Sequence, residues 1–257
     1  MCFSLYLDPM NKREIIYGIN PVCEALRSGK RRCHVVYIAE GKKDSSLKEL
    51  TTEIKRSGVQ LKNRKRHEID LMTEVKKHQG VAAEVESFPY LSAGELLELA
   101  AKNEKGGLIL ILDGITDPQN LGSIIRTAHL MGVDGVMIPH DKSAEITPST
   151  VKASAGATEY MPVAKITNVV REMNNLKERG YWIGGASGDG GEELYHHDYK
   201  EENTVIVLGS EGSGMRRLVR EKCDYLISIP MTGKIDSYNA SVAAAIIISE
   251  ISRQRRK

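Results

Sequence analysis

Apolar positions along the chain follow two regimes. Over residues 12–85 they form short clusters that switch between helical and strand spacing. Gly18-Ile19-Asn20-Pro21 reads as a turn leading into a short helix at 22–26. The β-branched run at 34–39 predicts a strand. Leu47, Leu50 and Ile54 repeat at helical spacing within 46–57, and Gly58 stops the run. A further short helix is expected at 68–75 and a strand at 80–85. This alternation predicts a small α/β sandwich.

From Leu108 onward the pattern changes. The run 108–112 is wholly apolar and ends at Asp113-Gly114. Strands of the same kind are expected at 135–139, 181–186, 204–209 and 225–230, with helices at 120–131, 169–179 and 242–251. Apolar strands alternating with helices imply a parallel sheet covered on both faces. Between the two regimes, 86–106 carries Pro89, a helical stretch at 93–102 and Glu104-Lys105-Gly106, which is a polar joint. The expected division is an N-terminal extension at 1–11, a first module at 12–85, a linker at 86–106 and a larger module at 107–257.

Composition narrows the class. With 41% hydrophobic and 27% charged residues, the chain has a globular balance rather than a disordered one. It has no apolar run of the roughly 20 residues that a membrane helix needs. Its first residues lack the charged lead and cleavage site of a signal peptide. Cys2, Cys23, Cys33 and Cys223 show no paired metal spacing, so reduced thiols and a cytoplasmic setting are expected, with no metal site. Charge is uneven. Residues 11–85 hold 17 Lys and Arg against 10 Asp and Glu, a net of +7, and the remainder carries −5. A basic module of this kind suits a polyanion, although a solvated Lys-rich surface accounts for it equally well.

The common nucleotide motifs do not fit. The glycines of 184–191 miss the G-x-G-x-x-G spacing, and Gly233-Lys234 is followed by Ile235, so it is not a P-loop. There is no G-x-S-x-G elbow and no zinc-helix histidine pair. His196-His197 falls on a polar stretch and is expected to be solvated.

Three segments are unusually polar for the ends of apolar strands. The first, Asp113 to Arg126, sets Asn120 and Arg126 about the opening turns of a helix, where an anion would be favoured. A cap by Asp117 or Asn120, with Arg126 on the surface, explains the same residues. The second, Leu208-Gly209-Ser210-Glu211-Gly212-Ser213-Gly214, has glycines that allow backbone to approach a ligand closely. The third runs from Ile229 through Met231 to Ser237-Tyr238-Asn239-Ala240-Ser241 and precedes an apolar helix. One N-cap is needed there and three candidates are present, Ser237, Asn239 and Ser241.

Taken together and in this order, the segments resemble the three signature motifs of the SpoU-type branch of the SPOUT methyltransferases, the RNA 2′-O-methyltransferases of the TrmH-like group. The likeness spans 107–252. The front also resembles the family's ribosomal-protein-like substrate-binding domain, through Gly18-Ile19-Asn20-Pro21-Val22, Tyr37-Ile38-Ala39-Glu40-Gly41 and His78-Gln79-Gly80-Val81. The whole is similar to bacterial ribosomal RNA guanosine methylases.

That resemblance implies an α/β fold in which a trefoil-knotted parallel-sheet domain follows a small α/β domain. It also implies a homodimer through the methyltransferase domain. It implies S-adenosyl-L-methionine as cofactor, held at Leu208, Gly209, Ile229, Met231, Tyr238, Asn239 and Ala240. The catalytic set it implies is Asn120, Arg126, Glu211, Ser237 and Asn239, with Glu211 placed to orient Arg126. The implied reaction is methyl transfer to an RNA ribose 2′-hydroxyl, in a guanosine of 23S ribosomal RNA. A tRNA substrate is the alternative, as is an RNA-binding protein on this fold without catalysis. The chain departs from the family pattern at Tyr238, where leucine is common, and at Ala240, where valine is common. Both changes are expected to alter packing around the cofactor rather than the chemistry.

Overall fold

The computed structural model describes residues 13–42, 45, 47–103, 106–200, 203–235 and 237–256. The expected extension 1–11 with Cys2 lies outside the described residues, as do Ser46, Glu104, Lys105 and Asp236. The chain forms two compact units, Met1–Pro89 with Ile146–Tyr160, and Tyr90–Glu145 with Met161–Lys257.

In the first unit the elements run β1 (Arg13–Tyr17), α1 (Ile19–Ser28), β2 (Cys33–Ala39), α2 (Leu47–Ser57), β3 (Gln60–Arg64), α3 (Arg66–Thr73) and β4 (Val81–Glu86). The sheet order is β1-β4-β2-β3, with β4 antiparallel to both of its neighbours and β3 parallel to β2. Leu47, Leu50 and Ile54 turn inward from α2, as their spacing requires. Strands β1 and β3 were not expected. β3 is polar (Gln60-Leu61-Lys62-Asn63-Arg64) and is ordered by pairing with β2 rather than by a hydrophobic face.

The second unit holds α4 (Ala93–Ala100), β5 (Leu108–Asp113), α5 (Pro118–Leu130) and β6 (Gly135–Pro139). The chain then contributes α6 (Pro148–Ala153) and a 3-10 turn (Ala157–Glu159) to the first unit. It resumes with β7 (Val163–Ile166), α7 (Val169–Glu178), β8 (Trp182–Ala186), β9 (Glu192–Glu193), β10 (Thr204–Gly209), α8 (Arg217–Glu221), β11 (Tyr225–Ser228) and α9 (Ala240–Arg255). Seven strands pair in the order β7-β6-β5-β10-β8-β11-β9, all parallel. Every residue of β5 is buried, because α4 and α7 cover one face while α5 and α9 pack together on the other. After β11, near the sheet's edge, the chain returns to the middle, where α9 meets α5 and β10.

The segment Ile146–Tyr160 is held in the first unit by a buried ion pair. Arg31 donates through Nε to Glu159 Oε2 at 3.1 Å and through Nη2 to Oε1 at 2.6 Å, and both side chains are almost wholly buried. Nη1 of Arg31 adds Glu14 and the carbonyl of Glu86. Beside it, Lys30 lies 4.6 Å over the Phe88 ring and donates to the Thr158 carbonyl. Burial pushes the Lys30 ammonium down to about 8. Among the described residues Cys23, Cys33 and Cys223 are free, and burial pushes their thiols up to about 11, 12 and 11. A raised thiol pKa of this kind disfavours the nucleophilic thiolate at neutral pH.

Candidate active site

Three neighbouring parallel strands, β10, β8 and β11, end together at a cavity of about 640 Å³. Open parallel sheets bind ligands beyond the carboxyl ends of their strands, and this volume is within the range of small-molecule sites. The walls come from the loop after β8 (187–189), the loop after β10 (209–215), the stretch between β11 and α9, and the first turns of α9.

The loop after β10 folds back on itself. Ser210 and Gly214 exchange backbone hydrogen bonds at 3.0 Å in each direction. A Cβ on Gly209 would meet the Gly214 and Met215 backbone at 2.2 Å, so the position admits only glycine. Gly214, at φ +65°, completes the turn in the left-handed region. The glycines therefore serve the close passage of the chain past itself, and this presents Glu211 at the cavity. From below, Asp113 at the end of β5 anchors the loop. Its buried carboxylate accepts from Arg216 Nε at 2.7 Å and from the Arg216 backbone N–H at 2.9 Å.

Glu211 Oε1 accepts from Asn120 Nδ2 at 2.9 Å, from the Ala240 N–H at 3.1 Å and from Asn239 Nδ2. Asn239 Nδ2 also donates to Asn120 Oδ1 at 3.0 Å. The side-chain oxygen of Asn239, Oδ1, accepts from the N–H of Ser241 at 3.0 Å and of Val242 at 3.3 Å, so Asn239 is the cap of α9. Three segments of chain thus meet on one carboxylate.

The expected site residues separate into two groups. Leu208, Gly209, Glu211, Ile229, Met231, Ser237, Tyr238 and Ala240 line the cavity. Asn120 and Asn239 adjoin it through Glu211. Arg126 stands apart. It is exposed on the ninth residue of α5, does not line the cavity, and has no hydrogen-bond or ion-pair partner among the described residues. Two expectations are corrected here. Arg126 does not open its helix, because α5 begins at Pro118 and Asp117 caps it by accepting from the Gln119 N–H at 2.9 Å. Nor does Glu211 orient Arg126, since among the described residues its hydrogen-bond donors are amides.

Sequence reasoning missed the loop after β8. Arg220 of α8 holds it, and the hydrogen bonds of Arg220 and Ser187 keep the Asp189 carboxyl below its usual range. His197 is also corrected. It is largely buried, stacks on Tyr225 at 4.0 Å between ring centres and lies 3.2 Å from Glu192, whereas His196 is exposed as expected. The sequence showed only the polar run around it.

The profile of the SpoU rRNA Methylase family matches residues 107–249. The chain belongs to that family. The SpoU region contains the whole cavity and the Asn120–Glu211–Asn239 network. A second profile, described as RNA 2′-O ribose methyltransferase substrate binding, matches residues 15–91. Over 246 residues the chain is 40% identical to the 23S rRNA (guanosine-2′-O-)-methyltransferase RlmB of Pseudomonas syringae, covering 96% of this chain and 98% of that one. It is 38% identical over 244 residues to the putative TrmH family tRNA/rRNA methyltransferase YacO of Bacillus subtilis, covering 95% and 97%. The SpoU methyltransferase AviRb from Streptomyces viridochromogenes, solved in complex with the cofactor AdoMet, shares the fold with a TM-score of 0.77 at 23% identity, over 95% of this chain and 90% of its own. The A. aeolicus TrmH/SpoU tRNA modifying enzyme is 30% identical with a TM-score of 0.54, but it covers 63% of this SpoU chain and 83% of its own.

Proposed function

We propose that this protein transfers a methyl group from S-adenosylmethionine to the 2′-hydroxyl of a guanosine ribose in 23S ribosomal RNA. One observation carries the reading: the 40% identity to a 23S rRNA guanosine methyltransferase extends over both modules, front domain included. The tRNA modifying enzyme, by contrast, matches less than two thirds of the chain.

The cavity suits the cofactor. Leu208, Ile229 and Met231 offer apolar surface for a purine, and Glu211 and Asp189 place carboxylates around a cationic ligand. When bound, S-adenosylmethionine supplies an electrophilic methyl on a sulfonium, whose leaving group is a neutral thioether. The protein must then hold the ribose hydroxyl in line, about 3–3.5 Å from that methyl. Arg126, exposed and unpaired among the described residues, is free to take an RNA phosphate. A guanidinium stays charged and is a donor rather than a base, so the hydroxyl's proton passes to water as the methyl's bond to the ribose oxygen forms and its bond to sulfur breaks. Asn120, Glu211 and Asn239 fix the chain around the cavity, and Ser237 lines it.

In this reading the return of α9 to the middle of the sheet ties the trefoil knot, and the enzyme is a homodimer through the SpoU domain. Val242 on α9 and Leu130 on the adjoining α5 are 46% and 68% exposed, apolar surface that a second copy would cover. The front module at 12–85, joined through 86–106, recruits RNA by its positive charge. Among the described residues no helix is long and apolar enough to cross a membrane. We place the reaction in the cytoplasm, where ribosomal RNA is made. The test is to map ribose methylation across total RNA with and without the protein. Loss of one 23S guanosine mark is expected. Loss of a tRNA mark instead would transfer the reading to tRNA, and no change would favour binding without catalysis.

A further inference from the structure

The loop after β8 lines the same cavity and carries a charged group to which the proposed reaction gives no definite partner. Arg220 Nη1 donates to Ser187 Oγ at 2.8 Å and to Asp189 Oδ1 at 2.9 Å, while Nη2 donates to the Asp189 carbonyl at 2.9 Å. Ser187 Oγ stands 3.1 Å from Asp189 Oδ1 and 2.8 Å from the Asp189 carbonyl. Among the described residues, each hydrogen bond that another residue makes to this carboxylate falls on Oδ1. The second oxygen, Oδ2, accepts from no other residue among those described. The Asp189 side chain is 89% exposed, so what fixes it is the Arg220 and Ser187 clamp rather than burial.

Its position in the sheet gives the clamp a purpose. Asp189 lies three residues beyond the carboxyl end of β8, between β10 and β11. In nucleotide-binding parallel sheets an acidic residue past a strand end accepts from ribose hydroxyls, because an ionised carboxylate offers only acceptors and the sugar offers donors. We infer that Asp189 accepts hydrogen bonds from the ribose hydroxyls of the cofactor's adenosine, with Arg220 and Ser187 as positioning residues. A surface ion pair that merely shapes the loop is the competing account. The inference rests on the assignment of this cavity to the cofactor.

Calorimetry with two ligands separates the cases. S-adenosylhomocysteine and its 2′,3′-dideoxy analogue are titrated into wild type, Asp189→Ala and Asp189→Asn. Hydrogen bonds to a charged group are worth about 1.5–3 kcal/mol, so Asp189→Ala is expected to weaken S-adenosylhomocysteine roughly 10- to 100-fold. The dideoxy analogue should bind wild type and variant alike, and Asp189→Asn should fall between them. Arg220→Ala should narrow the gap between the two ligands, and Arg220→Lys should restore part of it. Equal weakening of both ligands by Asp189→Ala, or no weakening of either, would overturn the inference and leave the cavity assignment standing. An unchanged gap in Arg220→Ala would overturn the positioning role. Failure of the wild type to bind S-adenosylhomocysteine at all would sink the cavity assignment itself.

Discussion

Asn239 and Glu211 constrain each other: the Nδ2 of Asn239 donates to Glu211 Oε1, and the same oxygen takes the N–H of Ala240 at 3.1 Å. Both hydrogens of the Asn239 amide are spent, one on Glu211 and one on Asn120, and its oxygen caps α9. In this arrangement the Asn239 amide has no hydrogen left to donate to a ligand.

Two substitutions separate its duties. Asn239→Ala removes the cap, worth about 1 kcal/mol, which should lower Tm by about 2–4 °C in a chain of this size. Asn239→Asp keeps an equivalent cap but sets a second carboxylate against Glu211 and removes both donors. Methyl transfer in Asn239→Asp should fall more than about tenfold although the cap is kept, and its Tm should recover as pH is lowered and the carboxylate pair takes up a proton. Thermal melts and single-turnover methylation on both variants decide it. Wild-type turnover in Asn239→Asp would remove the network from the reaction.

How much of this was legible follows from the residues concerned. Strands β5 and β10 announce themselves because both faces are buried and their sequences are almost wholly apolar. β3, β7 and β9 do not, being polar or only two to five residues long, and they exist through their neighbours in the sheet. Asn120, Glu211 and Asn239 could be singled out by likeness to a family. That they bind one another, with partners 91 and 28 residues away from Glu211, could not. The glycines at and after the end of β10 suggested close approach to a ligand, and Gly209 does line the cavity, but its backbone clearance for Gly214 could not be read from the spacing. Nothing in the spacing of Asp189 and Arg220 links them, because their pairing depends on where α8 returns below β8.

Lys30 makes stability depend on pH. Its folded pKa of about 8 lies below the ordinary 10.5, so between these values the unfolded chain binds the extra proton. Stability should then rise with pH through that window, by up to about 1.4 kcal/mol per unit. Below about pH 8 the buried ammonium is a cost, and Lys30→Met should lose this slope. Urea unfolding at about pH 7.5, 8.5 and 9.5 measures the difference between the two proteins. Parallel curves would show that Lys30 is hydrated in solution.

RNA affinity should depend on salt through the front module. Removing charge at exposed Lys55, Arg66, Lys76 and Lys77 should lower the log–log salt slope by about 0.7 for each phosphate left unneutralised on single strands, with cofactor affinity unchanged. Point substitutions are preferable to deleting the module. Ile146–Tyr160 belongs to the same compact unit, and deletion would strip the buried Glu159 of Arg31. An unaltered slope would assign the positive charge to solvation.

Subunit contact should be read by sedimentation. A homodimer is expected at micromolar concentration, and Val242→Asp, on the exposed face of α9, should shift it toward monomer. A wild-type monomer at that concentration would refute the interface.

Arg126 separates an enzyme from a binder. Its side chain is exposed and has no partner among the described residues, so Arg126→Ala should leave Tm and cofactor affinity close to wild type. If it holds the phosphate, methyl transfer should drop about 10²–10³-fold, the scale on which removing one transition-state interaction costs about 3–4 kcal/mol. Arg126→Lys should fail nearly as badly, since a compact ammonium cannot reproduce a planar fork at two oxygens. Single-turnover methylation of the mapped RNA, for wild type and both variants, is the measurement. A near wild-type rate in Arg126→Ala would put the phosphate elsewhere, and Asn120 with Glu211 would become the residues to test. If the wild type binds RNA tightly and never turns over, the fold has kept its substrate and lost its reaction.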